Sequence, residues 1–319
     1  MTKRVLVTGG CGFIGSTLIR VLLRRGYTVT VFDNLSSGAN ENLPEYKGIS
    51  LEVGDIEVYT SVKNAIQGHD FVIHLAARAY IPGSFKNPVE YFRTNVFGTL
   101  NMLKACLNNR VKRLILASSA EAYGSAMVTP IDESHPLNPM SPYASSKLAA
   151  EIVAQSFLRH FGLPVVIVRI FNTYGPREGL PYVIPEIIRQ CVKETVIRIG
   201  NLEAERDFTY VEDMALGLAL TLETKQIEGE IINLGYGQSW SISAVLDKIR
   251  RILNKDLPVI VDPSRLRPLE VAKLLADNSK AEKLMGWRPV VNLDDGLKRT
   301  VAWYIEHGNQ WTYEKLLKK

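Results

Sequence analysis

The chain has 319 residues, 46% hydrophobic and 22% charged, which supplies a large core and is ordinary for a soluble globular protein. Its 38 basic and 33 acidic side chains leave a formal charge of +5 with no basic block outside the terminal KLLKK, which argues against nucleic-acid binding and suits an anionic small molecule. Cys11, Cys106 and Cys191 are odd in number and far apart, giving neither a disulfide framework nor metal-ligand spacing, so no metal is expected and a reducing cytoplasm fits. No apolar run approaches the about 18 residues that span a bilayer, and the start MTKRVLVTGG turns to glycine too soon for a signal peptide, so no membrane partner and no export are expected.

In chain order, RVLVTG, TVTVFD, ISLEVGD, FVIHLA, RLILASS and PVVIVRI are short β-branched runs. Between them, FIGSTLIRVLLRRG, PVEYFRTNVFGTLNMLKACLNN and PYASSKLAAEIVAQSFLRHFG carry apolar residues at three- and four-residue spacing. The alternation predicts an α/β fold: a doubly wound parallel sheet with right-handed helical crossovers. After Ile170 the texture changes. NTYGPREGLPYVIPEI holds three prolines and two glycines, and the elements after Gly237 are shorter, which predicts a second, smaller domain.

Gly9, Gly12 and Gly15 fall at three-residue spacing between the first strand and the first helix. Gly9 allows the tight turn, Gly12 lets backbone approach a pyrophosphate, and Gly15 lets the helix pack close to the strand. Asp33 ends the second strand, where a carboxylate accepts the ribose hydroxyls of NAD and repels the extra phosphate of NADP. Asp55, ending the third, can bond the adenine or cap a helix starting at Ile56. Phe13, Ile14, Asn34, Ile56, Leu75, Ala76 and Ala77, next to these turns and after the fourth strand, complete the candidate NAD contacts. Tyr143 and Lys147 lie four apart on one helical face, so an ammonium can favour a phenolate. Tyr59 and Lys63 share that spacing with nothing around them that suggests chemistry; what sets Tyr143 apart is Ser119, a hydroxyl at a strand end. Together these three would take a proton from an alcohol as hydride leaves its carbon.

Through TGGCGFIGS, DNLSSG, GDI, HLAARA, SSAEAYG, YASSK, RIFNTYGPR and RDFTYVED the sequence resembles, over essentially its whole length, the extended short-chain dehydrogenase/reductase family, specifically its nucleotide-sugar epimerases and dehydratases. The resemblance implies a Rossmann-type sheet with a smaller C-terminal α/β substrate domain. Residues 1–171 would bind NAD, which is kept through turnover, with 206–235 returning to that domain. Residues 172–205 and 236–319 would hold a nucleoside diphosphate sugar. Ser119, Tyr143 and Lys147 match the family's catalytic positions, which argues against a third reading, a non-catalytic dinucleotide sensor. A homodimer formed through the two long helices is also implied. Arg206 and Arg267 are candidates for the substrate pyrophosphate because a guanidinium fork matches paired phosphate oxygens; the alternative is exposed salt bridges with Glu205 or Glu270. Asn172 resembles the family's diphosphate-contacting asparagine. Arg177 is expected to brace its loop, and His74 to be a satisfied structural histidine.

Glu121 divides the two enzyme readings. Epimerases of the family usually lack an acid there, since oxidation and re-reduction at C4 need only the tyrosine and a rotating ketone. In the 4,6-dehydratases a glutamate at this position removes the C5 proton, which lies α to the C4 ketone, as the C6 hydroxyl departs. Dehydratases specific for deoxythymidine diphosphate sugars carry an aspartate where this chain has Ala120, a departure that weakens the thymidine assignment more than dehydration itself. The preferred reading is an NAD-dependent nucleotide-sugar 4,6-dehydratase and the second a 4-epimerase; the other possibility for Glu121 is a structural carboxylate bonded to nearby backbone.

Overall fold

The computed structural model describes residues 3–308; the terminal KLLKK lies outside the described residues. The six β-branched runs form strands β1 Arg4–Thr8, β2 Thr28–Asp33, β3 Ile49–Val53, β4 Phe71–His74, β5 Arg113–Ser119 and β6 Val165–Ile170. Shorter strands come after them: β7 Asn172–Tyr174, β8 Ile197–Ile199, β9 Glu205–Tyr210, β10 Ile231–Leu234, β11 Ser239–Ser241, β12 Val259–Val261 and β13 Lys273–Leu274. The helices are α1 Phe13–Arg24, α2 Tyr59–Ala65, α3 Ile81–Lys86, α4 Pro88–Phe92, α5 Gly98–Asn108, α6 Pro142–Phe161, α7 Val183–Lys193, α8 Val211–Glu223, α9 Ile242–Leu253, α10 Ser279–Met285 and α11 Leu293–Glu306.

A seven-stranded sheet runs in the order β10-β6-β5-β4-β1-β2-β3, and every pair in it is parallel. Its inner strands are buried on both faces, whereas the edge strand β3 stays largely exposed. Val5, Val7, Val29, Val31 and Ile73 point to a core shared with α1 and α8 through Leu18, Leu22, Met214 and Leu218. The alternate residues Leu6, Val72, Leu114 and Leu116 meet α2, α5 and α6 through Val62, Met102, Leu103 and Ala154. Burying each Val or Leu contributes about 1.5–3 kcal/mol, so the two-residue alternation fixes the register of the whole sheet. The strand order reverses between β1 and β4, which opens a crevice at their carboxyl ends.

Two details depart from the sequence pattern. The segment PVEYFRTNVFGTLNMLKACLNN is not one helix: a π turn at Arg93–Phe97 separates α4 from α5. It turns the Asn95 amide inward, where Oδ1 accepts from Arg78 N at 2.9 Å and Nδ2 donates to Arg78 O at 3.1 Å and to Ser146 Oγ at 2.9 Å. Those bonds offset the irregular turn. The stretch 206–235 also divides. The helix α8 packs on α1 and β10 extends the large sheet, whereas β9 is the centre of a smaller sheet, flanked by β11, β13 and β7. A separate core under that sheet joins α7, α9 and α11 through Ile187, Ile188, Val245, Ile249, Leu297 and Val301.

Candidate active site

All the candidate residues, from Gly9 to Arg267, line one cleft of about 900 Å3 between the carboxyl end of the large sheet and the smaller one. At its inner end Gly9 has φ +70, and a Cβ there would lie 2.8 Å from Ala76 N. At Gly15 a Cβ would come within 2.3 Å of Gly9 O; only glycine lets α1 approach β1 this closely. Gly12 differs, because its missing Cβ would meet only Gly9 O, at 3.2 Å, and would otherwise project into open space. Gly12 caps α1 without a side-chain hydrogen bond, and no acidic residue lies in the first turn. The helix N-terminus is therefore left for an anion, and Phe13 and Ile14 carry its N–H groups. Asp33 is 7% exposed. Its Oδ2 accepts from Cys11 N at 3.0 Å and its Oδ1 from Leu35 N at 2.8 Å; burial pushes the carboxyl up and these two bonds oppose it. This donor set, a bare helix terminus beside a clamped carboxylate, fits the pyrophosphate and ribose of a dinucleotide. Asp55 accepts from Glu57 N and from Asn34 Nδ2, both at 2.8 Å. Its capping alternative holds for a turn rather than a helix: Val58 N also donates to the Asp55 carbonyl at 3.1 Å, while α2 begins only at Tyr59.

The chemical end is built by β5 and α6. Ser119 closes β5 and its Oγ accepts from Glu121 N at 3.2 Å. Ser141 caps α6, its Oγ accepting from Ala144 N at 3.1 Å, which presents Tyr143 and Lys147 in the first turns. Burial pushes the Tyr143 phenol up to about 12, and its hydrogen bond with Ser119 opposes this. Burial brings the Lys147 ammonium down to about 8, with Glu151 opposing. Its Nζ donates to Ala117 O at 2.5 Å, so the ammonium is engaged by the strand backbone and does not lower the Tyr143 phenol as its helical spacing suggested. His74 is pinned between Thr8 Oγ1 at 2.7 Å and Thr99 Oγ1 at 3.1 Å, and burial lowers it to about 3. It is structural. Arg177 donates to Thr17 Oγ1 at 3.3 Å, bracing its loop against α1.

Glu121 is 8% exposed, and among the described residues its carboxylate has one hydrogen-bond partner, Arg267 Nη1 at 3.5 Å. Among the described residues no backbone donor reaches it, so its bonding is not that of a carboxylate tied to nearby backbone. Arg206 is buried, donating to Glu270 Oε1 at 2.8 Å and to Glu205 O at 2.9 Å. The Glu205 carboxylate is taken by Lys273 and Ser239 instead. The salt-bridge alternative thus holds in part: Arg206 does pair with Glu270, though buried rather than exposed, whereas Arg267 reaches Glu121 instead. Asn172 begins β7 opposite Phe208 of β9, which sets it on the same small sheet as Arg206. Sequence reasoning missed Tyr80 and Tyr182. Tyr182 Oη donates to Ala79 O at 2.9 Å, and its ring meets Tyr80 edge-on at 6.3 Å, closing the cleft wall between the two sheets. The only signal for Tyr182 was its place in the proline-rich stretch after β7.

A parallel sheet in this order, a glycine turn at its reversal and a serine, tyrosine and lysine at the end of β5 define the extended short-chain dehydrogenase/reductase class, in its nucleotide-sugar epimerase and dehydratase branch. Within that class the chain belongs to the family described as GDP-mannose 4,6 dehydratase, which matches residues 6–300. It is 34% identical over 315 residues to the UDP-glucuronate 4-epimerase of Thermodesulfobacterium geofontis, covering 95% of this chain and 96% of that one. The structure of an epimerase from Methanothermobacter thermautotrophicus superposes with a TM-score of 0.93 at 32% identity, covering 97% and 94%. A dTDP-glucose 4,6-dehydratase from Streptomyces venezuelae, solved with NAD bound, gives 0.90 at 32% identity, covering 97% and 98%. Both reactions therefore occur among proteins like this one. Among the described residues no helix is long and apolar enough to cross a membrane, and no group of three or more His, Cys, Asp or Glu could hold a metal.

Proposed function

We propose that the protein is an NAD-dependent nucleotide-sugar 4,6-dehydratase. The observation that carries this reading is the Glu121 carboxylate in the same cleft as Ser119 and Tyr143, bonded among the described residues to Arg267 and to no backbone donor. NAD, when bound along Gly9, Gly12, Gly15 and Asp33, supplies the hydride acceptor for C4 oxidation and the hydride donor that completes the product. Tyr143 takes the proton of the C4 hydroxyl, for which it must first give up its own, and the Ser119 hydroxyl donates to the resulting phenolate. Glu121 then takes the C5 proton, acidified by the C4 ketone, while the C6–O bond breaks and the hydroxyl leaves as water. Ala120 has no proton to give, so the leaving hydroxyl is protonated by a group other than residue 120. Asn172, Arg206 and Arg267 hold the diphosphate.

The test is incubation of the purified protein with UDP-, GDP-, CDP- and dTDP-hexoses in deuterium oxide, read by mass spectrometry. The expected product is a 4-keto-6-deoxy sugar that has lost one water and carries deuterium at C5, and Glu121→Gln should oxidise C4 and stall, leaving reduced cofactor visible by absorbance. A C4 epimer of unchanged mass would replace this reading with the epimerase. We also infer a homodimer through α5 and α6, because Phe97 just before α5 is 61% exposed and Ile152 and Phe161 on α6 are 56% and 58% exposed. Sedimentation as a monomer at micromolar concentration would remove that part.

A further inference from the structure

The contact between Glu121 and Arg267 spans 146 residues at 3.5 Å. It joins the end of β5 to the loop between β12 and β13, and both side chains face the cleft, 10% and 26% exposed. Beside them lies Arg206, which is attracted by Glu121 and Glu270 and repelled by Arg267. Two carboxylates and two guanidiniums thus form a cluster of zero net charge. A diphosphate arriving on that cluster brings about two negative charges. It is held well only if a guanidinium turns its donors from a carboxylate to the phosphates.

Geometry decides which arginine turns. Arg206 is 4% exposed, sits on β9 and makes a 2.8 Å bond to Glu270 and a 2.9 Å bond to a backbone carbonyl. Arg267 makes one long contact from a segment outside any strand, and its remaining N–H donors are uncommitted to any hydrogen bond among the described residues. A single long hydrogen bond from a partly exposed side chain is the weaker of the two attachments. Once Arg267 leaves, no hydrogen-bond donor among the described residues holds the Glu121 carboxylate, which is 8% exposed and faces only the nearby Arg206 charge.

We propose that Arg267 is a positioning residue that works as a substrate-operated latch: it holds Glu121 while the cleft is empty, moves to the diphosphate of the nucleotide sugar, and so releases the carboxylate toward the sugar. The latch rests on the preceding reading in taking a nucleoside diphosphate as the ligand, but its test reads binding and needs no product. Dissociation constants for UDP, GDP, CDP and dTDP are measured by calorimetry on the wild type, Glu121→Gln, Arg267→Gln and the double variant, with thermal melts to confirm that each is folded.

Removing the carboxylate that competes for Arg267 should tighten the best diphosphate by roughly 3- to 10-fold, and Arg267→Gln should weaken it by about 10-fold or more. In the Arg267→Gln background the same Glu121→Gln change should alter affinity by less than about 2-fold. Equal tightening in both backgrounds would mean that Glu121 only repels the phosphates through space, and the latch would be wrong. No tightening in either background would also overturn it. If none of the four diphosphates binds, both the latch and the nucleotide-sugar reading fall; if they bind and no water is lost, the dehydratase reading falls and the cycle still decides the latch.

Discussion

Asp33 and Glu121 are both carboxylates at carboxyl ends of strands in one sheet, and they are held in opposite ways. Asp33 is clamped by two backbone N–H groups, from Cys11 and Leu35, within its own half of the fold. Glu121 is held by a guanidinium from a loop on the other side of the cleft. Backbone donors cannot leave without unfolding a turn, whereas a guanidinium can be exchanged by a ligand. The end of β2 is thus a fixed recognition surface, and the end of β5 is an adjustable reactive one. That division suits an enzyme that keeps its cofactor and turns over its substrate.

The largest expected effect lies at the adjustable end. Tyr143→Phe keeps the ring and removes the hydroxyl, so kcat should fall by roughly 10² to 10⁴ with KM changed only a few-fold. Near-normal turnover would place the proton transfer on another group. At the fixed end, Asp33→Ser removes an acceptor for the ribose hydroxyls. The wild type should prefer NAD over NADP by about 10- to 100-fold, and the variant should lose most of that preference. If binding assays show equal affinities in the wild type, the clamp on Asp33 serves the turn and not the ligand.

Gly15→Ala sharpens the same contrast through stability. The new methyl would stand 2.3 Å from Gly9 O, between two backbones that cannot give, so chemical denaturation should show a loss of about 1–3 kcal/mol or more. An unchanged midpoint would mean that the glycine turn can open to admit a methyl group. The smallest effect concerns Lys147, whose folded value of about 8 lies below its ordinary one of 10.5. Between those values the unfolded chain binds more protons than the folded one, so stability rises with pH as the burial cost of the ammonium disappears. Measured against Lys147→Met, the wild type should gain about 1 kcal/mol from pH 7 to pH 9. A gap that stays level or narrows would show that the ammonium is not penalised by burial.

The sequence made the fixed end readable and left the adjustable end half hidden, for a physical reason. Gly9, Gly12, Gly15 and Asp33 act through local backbone geometry, and local geometry imposes residue types at short spacing. The inner strands of the large sheet were readable likewise, since burial on both faces demands unbroken apolar runs. Ser119, Tyr143 and Lys147 required a family resemblance, because a hydroxyl, a phenol and an ammonium have many other uses. The partner of Glu121 left no local trace at all: Arg267 reaches it from 146 residues away, and Glu270, nearer in sequence to Arg267, pairs with Arg206. Periodicity also concealed the break between α4 and α5, since a π turn changes hydrogen bonding without disturbing the apolar pattern much, and it gave no sign that β9 and α8, adjacent in RDFTYVED, serve different sheets.

That π turn sets a condition on length as well as on residue type. Substituting Asn95 would cost its bonds to Arg78 and Ser146 and leave the path of the chain in place. Deleting any one residue of the segment 93–97 would let the helix close as a regular spiral, and each residue removed rotates α5 by about 100° relative to α4. The amide would then face away from Arg78, and α5 would present a different side to the sheet. In this stretch the number of residues fixes the fold as much as their identity does.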